Sequence, residues 1–261
     1  MSRIILEIES LYKTYGEKEN AAEALRGISF QVYQGEFLGI MGSSGSGKTT
    51  LLNCIASVLR PTRGRILLKG QDIGMYTDAQ LAAYRGRQIG YLFQQFELLD
   101  NLTGGENILL PAQIHKMPEK ESRKRMQKLA EYFEIEEVLE KFPNQMSGGQ
   151  KQRLSIARAI AKHPELFIFD DSFSALDYKT DVALRKALKK KTQDSTVLIV
   201  AQRISTILHA EQIIVLDEGK IAGIGTHREL LENCEVYRQI AASQLSESEL
   251  SSSGKEAKAN A

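Results

Sequence analysis

The sequence predicts an α/β fold built on a parallel, doubly wound sheet, with a helical subdomain inserted into it. Three observations predict this fold. Apolar runs of strand length alternate with segments of helical periodicity. A glycine-rich stretch lies between an apolar run at 36–41 and a helical pattern that begins at Lys48. From about 99 to 162 the pattern is helical and much more charged, which indicates an insertion.

The composition is that of a globular chain. Its 261 residues suffice for one or two domains, and 42% hydrophobic with 26% charged residues excludes wholesale disorder. Lys and Arg number 34 against 33 Asp and Glu, a balance that argues against a dedicated nucleic-acid binder. Two cysteines without metal spacing indicate a reducing compartment. No apolar run of about 18 residues and no signal peptide is present, so we expect a soluble, cytosolic chain.

The elements of the first quarter follow from periodicity. Alternating apolar and polar residues at 5–16 and the apolar run at 36–41 predict strands. The segment 48–60 has helical spacing and is ended by Pro61, and 62–75 predicts a hairpin. The apolar face of the predicted helix consists of Leu51, Leu52, Ile55 and Leu59.

The inserted subdomain, about 99–162, is predicted to contain three helices. They are separated by Pro118 and by the segment PNQMSGG. Their predicted ranges are 106–117, 120–142 and 148–163.

The α/β pattern then resumes. Apolar runs at 165–170 and 195–201 predict strands, with a helix at 180–191 between them, and 212–225 predicts a hairpin. Thr226 and Glu229 form a possible capping box for a last helix. We expect one domain over 1–245 and a disordered tail, rich in Ser, Ala, Lys and Glu, over 246–261.

The stretch GSSGSGKT satisfies the pattern G-x-x-x-x-G-K-[ST] and stands between a predicted strand and a predicted helix. Glycines allow successive backbone N–H groups to turn toward phosphate oxygens, and the helix adds its positive N-terminal end. The lysine of this pattern reaches the β- and γ-phosphates, and the threonine hydroxyl can bind Mg²⁺. The predicted nucleotide-binding set is Gly42, Ser43, Ser44, Gly45, Ser46, Gly47, Lys48, Thr49 and Thr50.

Asp170 ends the apolar strand predicted at 165–170. This position places its carboxylate at the carboxyl edge of the sheet, where ligands of open α/β sheets bind. An apolar strand that ends in Asp is common, but in a chain with a phosphate loop it is the expected acid on the Mg²⁺ side.

A second anion-binding helix N-terminus is predicted at Ser147, Gly148, Gly149 and Gln150, which open the helix at 148–163. Together with the phosphate loop and Asp170, this motif resembles the nucleotide-binding subunits of ATP-binding cassette (ABC) transporters, over nearly the whole chain. The resemblance implies a P-loop NTPase fold with a RecA-like core, an antiparallel β subdomain and the inserted helical subdomain.

The resemblance also implies roles for further residues. Tyr15 matches the aromatic residue that stacks on adenine, and Gln94 matches the glutamine that contacts Mg²⁺ and senses the membrane partner. Ser147 to Gln150 match the signature that closes over the γ-phosphate held by the opposite subunit. Asp177 ends the loop SALD, which links the two sites of the dimer.

The implied activity is ATP hydrolysis with Mg²⁺, coupled to transport. The implied partners are a separate transmembrane permease and a second cassette, in a homodimer or a heterodimer, and no nucleic acid. The implied location is the cytoplasm, peripheral on the inner face of the cell membrane. The patch Phe93, Phe96, Leu98 and Leu99 is either the surface that docks the permease or plain core.

Three residues occupy catalytic positions of the family pattern. Lys48 matches the pattern, and the other two residues depart from it. Asp171 replaces the usual Glu after the strand Asp, and Gln202 replaces the usual switch His. An Asp carboxylate lies about 1 Å short of the attacking water, and such a misplacement can cost about 10²-fold in rate. Gln202 can donate a hydrogen bond from its amide but cannot shuttle a proton. The two changes together indicate a slow or degenerate site.

The chain resembles two branches of the family at once. The first half is similar to the ATPases of lipoprotein release, macrolide export and bacitracin resistance. The last third is similar to the degenerate cassette of heterodimeric exporters, so the chain is either a divergent natural protein or a recombined one.

Three functions remain as alternatives. The first, which we favour, is the ATP-hydrolysing engine of a transporter. The second is a hydrolysis-poor regulatory cassette paired with a competent one, and the third is a soluble relative in DNA repair or translation.

Overall fold

The computed structural model describes residues 3–17, 20–93, 96–162, 164–170 and 195–245. The strands are β1 (Ile4–Tyr15), β2 (Ala22–Tyr33), β3 (Phe37–Gly42), β4 (Arg63–Leu68), β5 (Gln71–Asp72), β6 (Ile89–Leu92), β7 (Leu166–Asp170), β8 (Thr196–Val200), β9 (Gln212–Asp217) and β10 (Lys220–Gly225). The α-helices are α1 (Lys48–Ile55), α2 (Asp78–Arg87), α3 (Gly104–Ile114), α4 (Glu119–Phe133), α5 (Gly148–Ile160), α6 (Ile204–Ile207), α7 (His227–Asn233) and α8 (Glu235–Gln244). The chain divides into two compact units, Met1–Met75 with Leu198–Ala261, and Tyr76–Val197.

The first unit contains an antiparallel sheet in the order β2-β1-β4-β5. Ile8 of β1 pairs with Phe30 of β2 on one side and with Ile66 of β4 on the other. All three side chains are buried, which fits the alternation expected of a sheet with one face in a core. This sheet confirms the antiparallel subdomain that the resemblance implies.

Strands β10, β9, β3 and β8 lie in that order in the same unit. Ile40 of β3 pairs in parallel with Ile214 of β9, and β10 is antiparallel to β9 at the edge. The inner strands are buried on both faces, as parallel strands covered by helices are. Among the covering helices, α8 lies against β3 and β9.

The second unit contains the parallel pair β6 and β7, in which Gly90 pairs with Phe167, and the helices α2 to α5. Helices α3, α4 and α5 contact one another. Every residue of β7 is buried. The α/β class with parallel strands, predicted from the alternation of apolar runs and helical segments, is therefore confirmed.

Two helices are shorter than predicted. The helix predicted over 48–60 ends at Ile55, because Ser57 adopts a left-handed φ of 56° and the N–H groups of Val58 and Leu59 both bond to the Asn53 carbonyl. Leu51, Leu52 and Ile55 are buried as expected.

The helix predicted over 120–142 ends at Phe133. Glu134 is left-handed, with a φ of 54°, and the N–H of Ile135 bonds to the Ala130 carbonyl, which is the Schellman arrangement. This turn buries Ile135 and Val138, so burial of apolar side chains outweighs the helical pattern of the sequence.

Strand β2, helix α2 and strand β6 were not assigned from periodicity. The helix predicted at 180–191 and the tail 246–261 lie outside the described residues. Within the described ranges, no helix is long and apolar enough to cross a membrane. Cys54 and Cys234 are both buried free thiols.

Candidate nucleotide-binding site

The phosphate loop connects β3 to α1, and its glycines are required for different reasons. Gly42 has a φ of 151°, and a Cβ there would lie 2.1 Å from the carbonyl oxygen of Leu216. Gly47 has a φ of 100°, and a Cβ there would lie 2.5 Å from the Ala24 carbonyl oxygen. Gly45, at a φ of 79°, would place a Cβ farther than 4 Å from every described atom. The ends of the loop therefore pack against backbone, and its middle faces open space.

Lys48 is the first residue of α1, and its side chain folds back over the loop. Its Nζ donates hydrogen bonds to the carbonyl oxygens of Gly42 (3.0 Å) and Ser43 (2.6 Å) and lies 3.4 Å from the Ser46 hydroxyl. The ammonium charge thus lies over the loop that leads into the N-terminus of α1. An anion at this place would meet a lysine, a helix N-terminus and backbone donors together.

The loop is tied to the turn between β9 and β10. The N–H of Gly219 donates to the carbonyl of Ser46 at 3.2 Å, and the N–H of Ser46 donates to the carbonyl of Ser43 at 3.2 Å. Ser46 is buried, whereas Ser43 and Ser44 are exposed. The loop is thus fixed at its base and open at its tip.

Tyr15 ends β1 and is 42% exposed. Its hydroxyl lies 3.4 Å from the Thr50 hydroxyl in α1, and the Lys13 ammonium lies 5.3 Å from its ring centre. Thr49 is exposed at the start of the same helix. The structure therefore places Tyr15 beside the helix that begins with Lys48.

Gln202 lies two residues after the end of β8 and is exposed. The N–H of its neighbour Ala201 donates to the carbonyl of Ile40 in β3, at 3.1 Å. The phosphate loop begins at Gly42, two residues after Ile40. Gln202 and the phosphate loop therefore leave the carboxyl ends of adjacent strands.

Asp170 ends β7 and is 7% exposed. The hydroxyl of Tyr91, in the neighbouring strand β6, donates to its Oδ2 at 3.5 Å. The ring of Tyr91 stacks on that of Phe93, with 4.1 Å between centroids. Burial, followed by the negative charge of Asp170, raises the pKa of Tyr91, so the phenol stays a donor to the carboxylate.

The signature residues open α5, with Ser147 as its N-cap. The Ser147 hydroxyl accepts from the Gln150 N–H at 3.3 Å, and the Gln150 side chain accepts from the Ser147 N–H at 2.8 Å. The Gln150 amide also donates to Glu137 at 2.5 Å. A Cβ on Gly148 or Gly149 would meet nothing within 4 Å in the part of the chain that the structure describes. The helix end is thus rigid, and its two glycines are open.

Three predicted site residues, Gln94, Asp171 and Asp177, lie outside the described residues. Their assignments stay predictions. The patch residues Phe93, Phe96 and Leu98 are half-buried, and Leu99 is 44% exposed.

Arg158 is a residue that the sequence analysis missed. This α5 residue donates to the carbonyl oxygens of Phe96 (2.8 Å) and Glu97 (2.6 Å). Both acceptor residues have a left-handed backbone, with φ of 59° and 45°. The guanidinium therefore holds a strained turn against the helix that begins at the signature. No short sequence pattern predicts this contact, because Arg158 and the two carbonyl groups are about sixty positions apart in the chain.

The family described as ABC transporter matches residues 25–174, a stretch that includes the phosphate loop, Asp170 and the signature helix. The chain belongs to this family. Its membership confirms the prediction of an ABC-type ATPase cassette with a P-loop fold. The three motifs that carry the resemblance lie inside the matched stretch: the glycine-rich loop, the signature and the strand Asp.

Relatives of this cassette include a bacitracin export ATP-binding protein, BceA, of Halalkalibacterium halodurans, which is 38% identical over 83% of the chain and 87% of the relative. A methionine import ATP-binding protein, MetN, of Bordetella pertussis is 38% identical over 87% of the chain and 63% of the relative. The first of these names agrees with the resemblance of the first half to bacitracin-resistance ATPases.

Solved cassettes have the same fold. A dimeric post-hydrolysis state of the ATP-binding cassette MJ0796, bound to ADP and Pi, matches with a TM-score of 0.80 and 36% identity, over 85% of this chain and 98% of that one. A bacterial Atm1-family ABC exporter with ATP bound matches with a TM-score of 0.80 and 30% identity, over 94% of this chain and 42% of that one. The chain is thus similar both to a dimeric ATP-binding cassette and to an ABC exporter.

Proposed function

We propose that the chain is the ATP-hydrolysing subunit of a membrane transporter, which powers a separate permease through ATP-driven dimerisation. The observation that supports this most directly is that two helices of one chain, α1 and α5, have glycine at or next to their N-terminus. One helix N-terminus does not surround a triphosphate, so a second donor set arriving with a partner makes closure depend on ATP.

The triphosphate binds at the phosphate loop in this proposal. Backbone N–H groups between Gly42 and Thr50 bind the phosphates, apart from that of Ser46, which donates to Ser43. Lys48 exchanges its bonds to the Gly42 and Ser43 carbonyls for the β- and γ-phosphates. Tyr15 stacks on adenine, which its exposed ring permits. The open space around Gly45 fits a ligand that approaches backbone closely.

Mg²⁺ is assigned to Thr49, Gln94 and Asp170. A hydroxyl, an amide oxygen and a carboxylate are oxygen donors of the kind that Mg²⁺ prefers. Asp170 fits this role because it is buried at the end of β7 and accepts a hydrogen bond from the Tyr91 hydroxyl. When bound, Mg²⁺ neutralises charge on the β- and γ-phosphates.

Asp171 is assigned to the attacking water, from which its carboxylate accepts a proton. Gln202 is assigned to the γ-phosphate, to which its amide donates. The position of Gln202 after β8, beside the strand that enters the phosphate loop, supports this role.

The signature completes a site on a second cassette. Ser147 and the N–H groups of Gly148 and Gly149 bind the γ-phosphate held by the partner, and Gln150 keeps the helix end in place. Among the described residues, no atom lies within 4 Å of a Cβ placed on either glycine. This open space supports the approach of a second cassette to the helix end. Asp177 is assigned to the contact between the two sites.

The permease docks on the patch of Phe93, Phe96, Leu98 and Leu99, which is partly exposed. Relatives named for bacitracin export and methionine import support a cytoplasmic location on the inner face of the cell membrane. The transported substrate follows from the permease, which is a different chain.

A hydrolysis-poor regulatory cassette is the second candidate. Asp171 and Gln202 favour it, because both act on the nucleotide of this chain, whereas the signature acts on the partner's. Such a chain would impair one site of a heterodimer and both sites of a homodimer.

Titration calorimetry with ATP and Mg²⁺ tests the nucleotide site. The wild type is expected to bind, and Lys48→Ala with Thr49→Ala is expected to lose binding. Equal affinities would overturn the proposal. Sedimentation of Asp171→Asn, which retains its nucleotide, is expected to show an ATP-dependent dimer, and a strict monomer at saturating ATP would contradict the assignment of the signature.

Steady-state ATPase rates separate the two candidates. Asp171→Glu and Gln202→His are expected to raise the rate together more than either does alone, because they serve one transition state. A wild type as fast as the double variant would show that Asp171 and Gln202 suffice, and the regulatory candidate would be abandoned.

A further inference from the structure

Gln202 lies in a three-residue segment, 201–203, that joins β8 to α6 and is held from one side by β3. It is held from the other side by Gln244, the last residue of α8. The Gln244 side-chain Nε2 donates to the Gln202 carbonyl at 2.7 Å, and its Oε1 accepts from the Ile204 N–H at 2.9 Å. One amide therefore uses its donor on the middle residue of the segment and its acceptor on the first residue of α6.

The bond to Ile204 supplies a cap that α6 lacks. Among the described residues, the N-cap residue Arg203 makes no side-chain hydrogen bond to the helix. The first N–H groups of a helix have no partner within it, and the Gln244 oxygen supplies a partner for the first of them, that of Ile204. Ile204 and Ile207 are buried, so the capped turn is also anchored by packing.

The base of Gln244 is rigid. Tyr237 and Ala241, on the inner face of α8, are fully buried, and the Tyr237 hydroxyl lies 2.7 Å from Nδ1 of His227. Gln244 follows Ala241 by three residues, which places the two on the same face of the helix. The helix that carries Gln244 is therefore packed on the core of the first unit, while the Gln244 side chain itself is exposed and is held by its two hydrogen bonds.

We propose that Gln244 is a positioning residue for ATP hydrolysis: it fixes the backbone of Gln202, so that the amide of that side chain points at the γ-phosphate. This inference rests on the role proposed for Gln202. A glutamine side chain has three rotatable bonds, so its donor is aimed only if the backbone from which it extends does not move. Gln244 touches no reacting atom and acts through Gln202 alone.

Two substitutions remove different parts of the contact. Gln244→Met keeps the length of the side chain and removes both hydrogen bonds. Gln244→Glu keeps an acceptor for the Ile204 N–H and sets a carboxylate oxygen against the Gln202 carbonyl. Gln239→Met is the matched control, because Gln239 is exposed on the same helix and its amide bonds at 3.2 Å to Glu235 of that helix.

We expect kcat for ATP hydrolysis to fall about 3- to 10-fold in Gln244→Met and at least as far in Gln244→Glu, since a net hydrogen bond changes an equilibrium by roughly this factor. KM for ATP is expected to stay within about twofold, because Lys48 and the phosphate loop are untouched. Hydrogen exchange at the Ile204 amide is expected to become faster in Gln244→Met and to stay unchanged in Gln239→Met.

The Gln202→Ala background decides between positioning and a general loss of structure. If Gln244 acts through the Gln202 side chain, Gln244→Met has no further effect on kcat there. The same fall in kcat in both backgrounds, or an unchanged kcat in Gln244→Met while the wild type hydrolyses ATP, overturns this inference and leaves the proposed function intact. A wild type that binds no ATP overturns both.

Discussion

Replacing Arg158 by Met tests whether one guanidinium stabilises the turn at Phe96 and Glu97. The substitution keeps most of the apolar stem in α5 and removes both donors, at 2.8 and 2.6 Å from the two carbonyl oxygens. The two acceptor residues have left-handed φ angles, which are unfavourable for residues other than glycine. The turn therefore depends on contacts outside itself, and Arg158 supplies two of them.

The expected loss follows from the contacts. A hydrogen bond from a charged donor contributes about 1.5–3 kcal/mol, so two contribute roughly 3–6 kcal/mol. Burial of the guanidinium, which lowers the pKa of Arg158, is a cost that the substitution relieves. We expect a net loss of about 2–4 kcal/mol, which for a chain of this size lowers the melting temperature by roughly 4–16 °C. Arg158→Lys, with a single point charge, is expected to lose less.

The assay is thermal melting followed by circular dichroism, with Arg123→Met as the matched control. Arg123 is also a helix arginine, and it bonds to Glu119 at 2.8 Å, but the side chains are 58% and 77% exposed. Such an exposed pair contributes about 0.3–0.5 kcal/mol. If Arg158→Met and Arg123→Met melt at the same temperature, the turn does not depend on Arg158 and the reasoning is wrong.

Two further predictions concern other parts of the chain. Gly42→Ala is expected to destabilise the protein by more than about 3 kcal/mol, because its Cβ would meet the Leu216 carbonyl. Gly45→Ala is expected to cost only about 1 kcal/mol, which is the cost of its positive φ. Thermal melting without nucleotide measures both losses of stability, and equal losses would contradict the prediction. Burial lowers the pKa of Lys162 to about 8, from 10.5. The folded state therefore loses this proton before the unfolded state does, so stability should rise from about pH 8 toward pH 10 relative to Lys162→Met. The free energy of unfolding is measured by urea denaturation at each pH for both proteins. The same change with pH in the wild type and in Lys162→Met would refute the expectation.

Much of the fold could be predicted because its signals are local. Strand β3, the phosphate loop and the start of α1 follow from an apolar run, three glycines and a lysine within a dozen residues. Helix α2 was missed because it buries only Leu81 and Tyr84, too few for a clear period. Its capping box, Thr77 with Gln80, is the signal that could have found it.

The ends of α1 and α4 were predicted wrongly for a related reason. Helical periodicity continues past Ile55 and past Phe133, but left-handed turns at Ser57 and Glu134 reverse the chain there. The turn at Glu134 is favoured by burial of Ile135, which depends on the surrounding packing. Local propensity is a weak predictor where tertiary burial opposes it.

The site divides in the same way. The residue types of the phosphate loop and the signature could be recognised, because each motif is contiguous in the sequence. The bonds that hold them could not: Tyr91 reaches Asp170 across 79 positions, and Gln244 reaches Gln202 across 42. Such partners are set by the arrangement of whole elements, which no short pattern encodes.

The phosphate loop is held by hydrogen bonds within the chain: Ser46 accepts from the N–H of Gly219, and Lys48 donates to the carbonyls of Gly42 and Ser43. Binding therefore loses little conformational entropy in this loop, since almost no backbone has to be ordered when the nucleotide arrives. Association should accordingly approach the rate of a diffusive encounter, without a slow folding step. Differences in affinity between nucleotides would then arise in their dissociation rates, through the number of phosphates held and through the base that we propose to stack on Tyr15.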